Sequence, residues 1–424
     1  MTWTAFAIVS AGLFSPFGPV GIAFSSSFSL RFFPQFARKG FTASSLGKVK
    51  LIHYPLPRRV DKRGERPLVS PDNCPTDSKA GAGFMNTSRL KLLSALALSV
   101  VFSGNGLAQQ NSLLPDYPNS YEIVRDIVNM PDGRMMGSSN AVDVDSEGNI
   151  WLFERCGMNS CSDSDVDPIL KFSPEGEFLF SFGAGMFVFP HGIIVDDDDN
   201  LWIVDAGVED GVKGNQIFKF NQQGEILIEL GRPGIRGDGP DLFNEPSDLA
   251  IGPDGSIYIA DGHINPESNR RIVHMTAEGE FIEAWGEKGS GPLQFECPHS
   301  LAVDSEGRIY VGDRTNNRLQ VLSPDGELLA IWTHFGRPSG VRIQNDTLYV
   351  VDSESRAAEG EYGYNPGWHR GIYVGTLDGL ITDFIPDPSP SGGTSFPEGF
   401  SVDDNGVIWG ASVGDREVLK FTRQ

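Results

Sequence analysis

Three stretches of the sequence repeat one pattern, in which a proline is followed by a residue that can bind a metal ion. They read FPHGIIV, CPHSLAV and FPEGFSV, and the residues after the prolines are His191, His299 and Glu398. Imidazole and carboxylate both bind zinc, and two histidines with one carboxylate also suit another divalent transition metal. Three protein ligands with one open position are typical of a catalytic zinc site. The pattern therefore predicts a metal site made of these three residues.

A histidine in a folded protein is more often an ordinary structural residue than a ligand. His274, His334 and His369 occupy strand or loop positions without a shared register, and we interpret them as ordinary. His191 and His299 differ from these because they share one position of a repeat, which favours a common role.

Three further polar residues follow neighbouring segments of the same repeat. Arg155 lies in WLFERCG and Arg314 in YVGDRTNNR, and each could hold a carboxylate with paired hydrogen bonds. For Arg314 an ion pair with the adjacent Asp313 is the structural alternative. His263, in IADGHINP, titrates near neutrality and could move a proton.

A repeating unit must position these residues. From residue 138 onward an apolar run, an Asp/Gly-rich turn and an aromatic strand recur six times, with alternation typical of β-hairpins. The aromatic anchors are Trp151, Trp202, Tyr258, Tyr310, Tyr349 and Trp409. Their separations of 39 to 60 residues are typical of propeller blades.

A second turn, such as SPEGEF or TAEGEF, follows five of the six units, so each complete unit has four strands. The sixth unit ends with three, and the segment YEIVRDIVNM at residues 121–130 can supply the fourth. We therefore predict an all-β fold, a six-bladed β-propeller of four-stranded antiparallel blades over residues 121–424, with the ring closed by an N-terminal strand. Stacking as a solenoid is the alternative, but it leaves the surplus strand at one end unexplained.

The N-terminal part has a different character. Residues 85–108 combine a basic start, an apolar run and small residues before Ala108, which is the layout of a secretory signal peptide. We interpret residues 1–84 as upstream sequence outside the fold and residues 109–120 as a linker. We expect a protein that is secreted or periplasmic, with no membrane span in the mature chain.

The charge of the chain indicates which binding partners to expect, and its cysteines bear on the compartment. Residues 1–108 contain 13 basic and 4 acidic residues, whereas residues 109–424 contain 21 basic and 52 acidic residues. Such an acidic surface repels nucleic acid, so we expect a monomer that acts on a small-molecule or peptide substrate. Cys156 and Cys161 could form a disulfide in an oxidising compartment or remain two thiols.

The sequence from FNEPSDLAIGPDGSIYIADGHINPESNRRIV through FIEAWGEKGSGPLQFECPHSLAVDSEGRIYVGDRTNNRLQ resembles the peptidyl-α-hydroxyglycine α-amidating lyases, six-bladed propellers with repeats of NHL type. In that family three Pro-His motifs hold zinc, and the resemblance maps them onto His191, His299 and Glu398. It maps two family arginines onto Arg155 and Arg314.

This sequence departs from the family at several of these positions. A family tyrosine that works at the substrate hydroxyl falls at His263. A structural Ca²⁺ becomes doubtful because Gly399 replaces an aspartate ligand of the family, and the family's disulfides have no matching cysteines.

The resemblance implies a metal-dependent lyase that cleaves the C–N bond of an α-hydroxyglycine-like substrate and releases an amide and glyoxylate. In this interpretation Zn²⁺ or another divalent transition metal is held by the three motif residues, Arg155 and Arg314 orient the substrate carboxylate, and His263 takes the hydroxyl proton. Two alternatives remain. One is a lactonase-type propeller hydrolase, and the other is a non-catalytic propeller that binds a peptide or glycan.

Overall fold

The computed structural model describes residues 116–356, 358–388 and 396–424. In this part of the chain the predicted all-β fold is confirmed: six four-stranded antiparallel sheets form the blades of a propeller. The predictions for residues 1–84 and 85–108, and for most of the 109–120 linker, lie outside the described residues.

The first strand, β1 (Tyr121–Val124), precedes the first three blades. Blade one contains β2 (Val142–Val144), β3 (Ile150–Phe153), β4 (Ile169–Phe172) and β5 (Phe178–Phe182). Blade two contains β6 (Pro190–Val195), β7 (Leu201–Glu209), β8 (Lys213–Phe220) and β9 (Ile226–Leu230). Blade three contains β10 (Pro246–Ile251), β11 (Ile257–Asp261), β12 (Arg271–Met275) and β13 (Phe281–Trp285).

A short parallel pair, β14 (Glu287–Lys288) with β15 (Gln294–Phe295), leads into the last three blades. Blade four contains β16 (Pro298–Val303), β17 (Ile309–Asp313), β18 (Arg318–Leu322) and β19 (Leu328–Trp332). Blade five contains β20 (Pro338–Gln344), β21 (Thr347–Asp352), β22 (Gly371–Thr376) and β23 (Ile381–Pro386). Blade six contains β24 (Pro397–Val402), β25 (Ile408–Ser412) and β26 (Val418–Arg423), with β1 as its fourth strand.

The closing strand pairs as the strand count predicts. Strand β1 runs antiparallel to β26, with Tyr121 opposite Arg423 and Val124 opposite Lys420. This pairing covers the edge that a three-stranded sixth blade would leave open. The helices of the described residues are two 3₁₀ turns, Pro131–Gly133 and Arg314–Asn316, so no helix there could cross a bilayer.

The hydrophobic core lies between neighbouring blades. Six buried clusters fill the six interfaces, including the one between blades six and one, where Trp409 packs with Val142 and Ile150. The aromatic anchors of the repeat all belong to these clusters. The ring is therefore held together by apolar contacts that each blade makes on both faces.

A β-bulge interrupts the innermost strand of five blades directly after its proline. The proline pairs with the second strand, the next residue has no partner, and pairing resumes one residue later. The unpaired residues are His191, Ser247, His299, Ser339 and Glu398. Because a bulge bends the strand and turns one side chain out of the pleat, it delivers these residues to the axis.

Buried carboxylates hold the chain just before the bulge in blades two to five. Asp205 accepts hydrogen bonds from the backbone N–H groups of Phe189 (2.7 Å) and Val188 (2.9 Å). Asp261, Asp313 and Asp352 bind the corresponding N–H groups in blades three, four and five at 2.9 Å. Each of these contacts fixes the start of an innermost strand relative to the end of the second strand.

These carboxylates give the stability a distinct pH dependence. Burial raises the pKa of Asp205 from 3.8 to about 6, so between these values the folded protein binds more protons than the unfolded chain. The free energy of unfolding should therefore decrease as the pH rises from 4 to 6, by on the order of 2–3 kcal/mol for this group.

Asp205→Asn removes the titration, and the measurement is urea unfolding of both proteins at pH 4, 5, 6 and 7. We expect the advantage of the native protein over the variant to shrink as the pH rises. An advantage that stays constant or grows over this interval would contradict the assignment.

Candidate metal centre at the propeller axis

Three histidine side chains meet at the axis. His191 and His299 come from the bulges of blades two and four, and His263 comes from the segment that follows β11 in blade three. Their ring centroids lie 4.7 to 5.2 Å apart, and the nitrogens that could share an ion all lie within 4.8 Å of one another. Among the described residues, no other group of three or more His, Cys, Asp or Glu side chains brings its ligand atoms this close together.

A backbone carbonyl of the next blade fixes the tautomer of two of these histidines. Nδ1 of His191 lies 2.6 Å from the carbonyl oxygen of Ser247, and Nδ1 of His299 lies 2.6 Å from that of Ser339. Since a carbonyl can only accept, both Nδ1 atoms carry the proton and donate it. In the neutral rings Nε2 is therefore an unprotonated ligand atom, as in histidines that bind metals.

The environment keeps two of the rings neutral. Burial, together with the charges of His299 and Arg155, holds the pKa of His191 well below its usual range. Burial and the neighbouring His191 and Arg314 lower the pKa of His263 in the same way. The Nε2 atoms of His191 and His263 lie 3.2 Å apart, which places two ligand nitrogens beside each other.

Nε2 of His299 is a buried ligand atom that lies 3.3 Å from Oε1 of Glu398. If the His299 ring is protonated, the two groups form an ion pair. If the ring is neutral with its proton on Nδ1, two acceptors face each other, and only a cation between or beside them would offset their repulsion. These residues fit a divalent transition metal, which accepts imidazole nitrogen and carboxylate oxygen alike.

Glu398, the predicted third ligand, lies beside the histidines but is also bound by Arg314. Its Oε1 accepts a hydrogen bond from Nη1 of Arg314 at 2.5 Å. Burial opposes ionisation of Glu398, but the contact with His299 and the charge of Arg314 outweigh burial and hold its pKa well below the usual value. Glu398 is therefore an anion next to the histidine cluster, and its role as a ligand stays a prediction.

Arg314 does not pair with Asp313, the structural alternative that its adjacency suggested. Asp313 accepts from Arg318 at 2.9 Å and from backbone N–H groups, which turns it away. Arg314 is almost fully buried and contacts Glu398, Glu354 (3.3 Å) and Nε2 of His263 (3.4 Å).

Sequence reasoning missed two members of this charged cluster, Glu354 and Arg337, whose side chains pair at 2.9 Å. A signal existed, since Glu354 follows the second strand of blade five much as Arg314 follows that of blade four.

Arg155 is a buried cation without an ionic partner. Its Nε donates to the carbonyl of Pro190 at 3.1 Å and Nη1 to Oδ1 of Asn159 at 2.8 Å, while its guanidinium lies 3.7 Å from the ring centre of Phe189. No carboxylate among the described residues forms an ion pair with it. Burial lowers the pKa of Arg155 to about 10, so the group is still charged at neutral pH.

The cysteines and the remaining histidines of the described part have structural surroundings. Cys156 and Cys161 form a disulfide directly after Arg155, whereas Cys297 is a buried free thiol. The ring of His274 stacks on Tyr258, as expected for a histidine outside the site.

Gly399 has a packing reason to lack a side chain. A Cβ atom at this position would lie 1.7 Å from the backbone oxygen of Asn140, across the interface between blades six and one. Close approach of two backbones thus requires glycine, and the residue contributes no oxygen ligand for the doubtful calcium ion.

Gly399→Ala should therefore destabilise the propeller by about 3 kcal/mol or more, because backbone must move to admit the methyl group. Gly239→Ala is the matched control, since its Cβ would meet the Leu242 side chain at an ordinary 3.6 Å. Urea unfolding measures the free energy of unfolding of both variants. Equal values would contradict the prediction and show that the interface between blades six and one can admit a methyl group.

The sequence is similar to several characterised groups of proteins. The NHL repeat model matches residues 295–322. NHL repeat-containing protein 3 of human is 31% identical over 64% of this chain and 76% of its own length, and the mouse protein is 34% identical over 51% of this chain and 61% of its own.

Two amidating enzymes are also similar. The mouse peptidyl-glycine alpha-amidating monooxygenase is 34% identical over 45% of this chain but only 21% of its own length. A probable peptidyl-alpha-hydroxyglycine alpha-amidating lyase of Caenorhabditis elegans is 28% identical over 53% of this chain and 70% of its own. The match therefore spans less than two thirds of the mouse NHL protein and about a fifth of the monooxygenase.

Proposed function

The chain belongs to the family of NHL-repeat propellers that includes NHL repeat-containing protein 3 and the peptidyl-α-hydroxyglycine α-amidating lyases, and on that premise we propose that it is a metal-dependent carbon–nitrogen lyase. The proposed substrate is an α-hydroxyglycine-like compound, which would yield an amide and glyoxylate. The observation that carries the proposal is the convergence of His191, His263 and His299, with two of their tautomers fixed, beside the anion of Glu398.

We propose that the three histidines hold the metal ion. Nε2 of His263 lies 3.2 Å from that of His191, whereas Oε1 of Glu398 is engaged by Arg314. A bound divalent ion would supply Lewis acidity at the substrate hydroxyl. This assignment exchanges the roles that the sequence predicted for His263 and Glu398.

Arg155 is suited to the substrate carboxylate. A buried charge is costly unless it is paired, and this guanidinium has only neutral partners. A substrate carboxylate would form an ion pair with this guanidinium, and the pair would orient the reacting bond. Arg314 already contacts two carboxylates, so we assign it to holding Glu398 ionised.

Proton transfer then falls to Glu398. As an anion beside the histidine cluster it can accept the proton of the substrate hydroxyl, and because its lowered pKa makes it a weak base, the step requires that the proposed metal ion make the hydroxyl more acidic. The hydroxyl oxygen becomes the aldehyde oxygen of glyoxylate, the electron pair of the C–N bond goes to nitrogen, and Glu398 returns the proton there. Atoms and charges balance without an oxidant or a reductant.

The direct test combines metal content with product formation. Purified residues 109–424 should contain about one transition-metal ion per chain and release glyoxylate from a peptidyl-α-hydroxyglycine, and His191→Ala should lose both properties. His274→Ala is the control, since this histidine lies outside the cluster. A native protein that contains no stoichiometric transition metal would rule the lyase out, and metal without glyoxylate would indicate another substrate.

The third ligand can be identified separately. If His263 binds the metal, His263→Ala should lower metal affinity at least about 10-fold, whereas Glu398→Gln should keep the metal and lower kcat by roughly 100-fold or more. Competition with a chelator measures the affinity and glyoxylate release measures kcat. The reverse outcome, in which Glu398→Gln loses the metal and His263→Ala retains it, would restore the assignment of Glu398 as the ligand.

A non-catalytic propeller is the second candidate. The observation in its favour is that Arg314, one of the two predicted carboxylate-binding arginines, is 1% exposed and already engaged by Glu354 and Glu398. Tight binding of a peptidyl-α-hydroxyglycine without glyoxylate release by the metal-loaded protein would favour it.

We also propose that the protein is secreted or periplasmic. The Cys156–Cys161 disulfide supports this location, since disulfides persist in oxidising compartments.

A further inference from the structure

Arg342 lies in β20, the innermost strand of blade five, three residues after the bulge at Ser339. A cavity of about 10 Å³, roughly the space of one water molecule, is lined by His191, His299 and Arg342. Arg342 therefore borders the same small space as the histidine pair.

Arg342 joins the innermost strands of three blades. Its Nη1 donates to Oδ2 of Asp248 in blade three at 2.9 Å, and the same carboxylate oxygen accepts from the Ser300 hydroxyl of blade four at 2.6 Å. The Ser300 oxygen in turn accepts from the backbone N–H of Val341 in blade five at 3.0 Å. One closed network thus connects blades three, four and five, which β-sheet hydrogen bonds do not join.

The residues of this network adjoin the groups that orient the histidines. Asp248 follows Ser247, whose carbonyl binds Nδ1 of His191, and Val341 lies two residues after Ser339, whose carbonyl binds Nδ1 of His299. Ser300 directly follows His299. If the innermost strand of blade three shifted along the axis, the carbonyl of Ser247 would move away from Nδ1 of His191. A shift of the innermost strand of blade five would likewise separate the carbonyl of Ser339 from Nδ1 of His299.

A contribution to stability does not by itself explain the ion pair between Arg342 and Asp248. The Arg342 and Asp248 side chains are only 18% and 6% exposed, and a buried ion pair often stabilises no more than apolar residues of similar volume. What the pair supplies is geometry, because the guanidinium and carboxylate accept only a narrow range of mutual positions.

We propose that Arg342, Asp248 and Ser300 are positioning residues that set the Nδ1–H tautomers of His191 and His299, and so aim the Nε2 atoms at the axis. The effect on the tautomers is independent of any metal, and the effect on metal affinity rests on the proposed function. Residues beyond the ligands that orient metal-bound histidines are generally worth 10- to 100-fold in affinity.

The test is the imidazole ¹⁵N NMR spectrum of the full propeller, in the presence of a chelator, for the native protein, Arg342→Met and Ser300→Ala. We expect the native spectrum to show protonated Nδ1 and unprotonated Nε2 for both histidines. In the variants we expect mixed tautomers for at least His299, and titration with Co²⁺ should show affinity lowered by about 10-fold or more. If Arg342→Met does not fold, Ser300→Ala provides the test, because the Ser300 substitution removes only one hydroxyl group.

Arg308→Met is the matched control. Arg308 pairs with Asp304 at 2.6 Å within one turn of blade four, so its loss removes an ion pair without touching the network. It should keep the native histidine spectrum and Co²⁺ affinity. Folded Arg342→Met or Ser300→Ala protein with native tautomers would overturn the proposal, whereas a native protein with fixed tautomers that fails to bind Co²⁺ would instead overturn the proposed function.

Discussion

The hydrogen bond from an axial histidine to a carbonyl of the following blade is the interaction on which the site depends. It occurs twice, from His191 to Ser247 and from His299 to Ser339, at 2.6 Å in both cases. Each bond uses a bulge residue of one blade as donor and a bulge residue of the next as acceptor. Blades two and three, and blades four and five, must therefore be in register before these hydrogen bonds can form.

Charge around the histidines is arranged asymmetrically. Arg314 lies between two carboxylates, Glu354 and Glu398, and its charge helps keep the partly buried Glu398 an anion. Among the described residues, Arg155 donates hydrogen bonds only to neutral groups and forms no ion pair. The site thus presents one cation that is already neutralised and one that is not, which is the arrangement expected for binding an anionic group in a defined orientation.

Much of the fold was predictable because turns recur in the sequence at the period of a blade. The missing fourth strand of blade six was also predictable, since a strand surplus at Tyr121 matched a deficit after Val418. The positions of His191, His299 and Glu398 followed from a shared register after proline, which the bulges explain. Contacts between blades were harder to predict, because they depend on side-chain directions around the axis.

The contacts of three residues could not be predicted from the sequence. His263 was predicted to move a proton, but only its three-dimensional position shows that its ring joins those of His191 and His299. Arg314 was predicted to hold a substrate carboxylate, with Asp313 as the alternative partner, but it contacts Glu354 and Glu398, while Asp313 holds the backbone before its own bulge. Gly399 was interpreted as a lost ligand, whereas the backbone of Asn140 leaves no room for a side chain.

The central claim is that a transition metal is held by the axial histidines. Anomalous X-ray diffraction from crystals of the propeller, collected on both sides of the zinc absorption edge, tests it directly. We expect one strong edge-dependent peak within bonding distance of Nε2 of His191, His263 and His299. Crystals grown with zinc that show no such peak, or show it away from His191 and His299, would contradict the account.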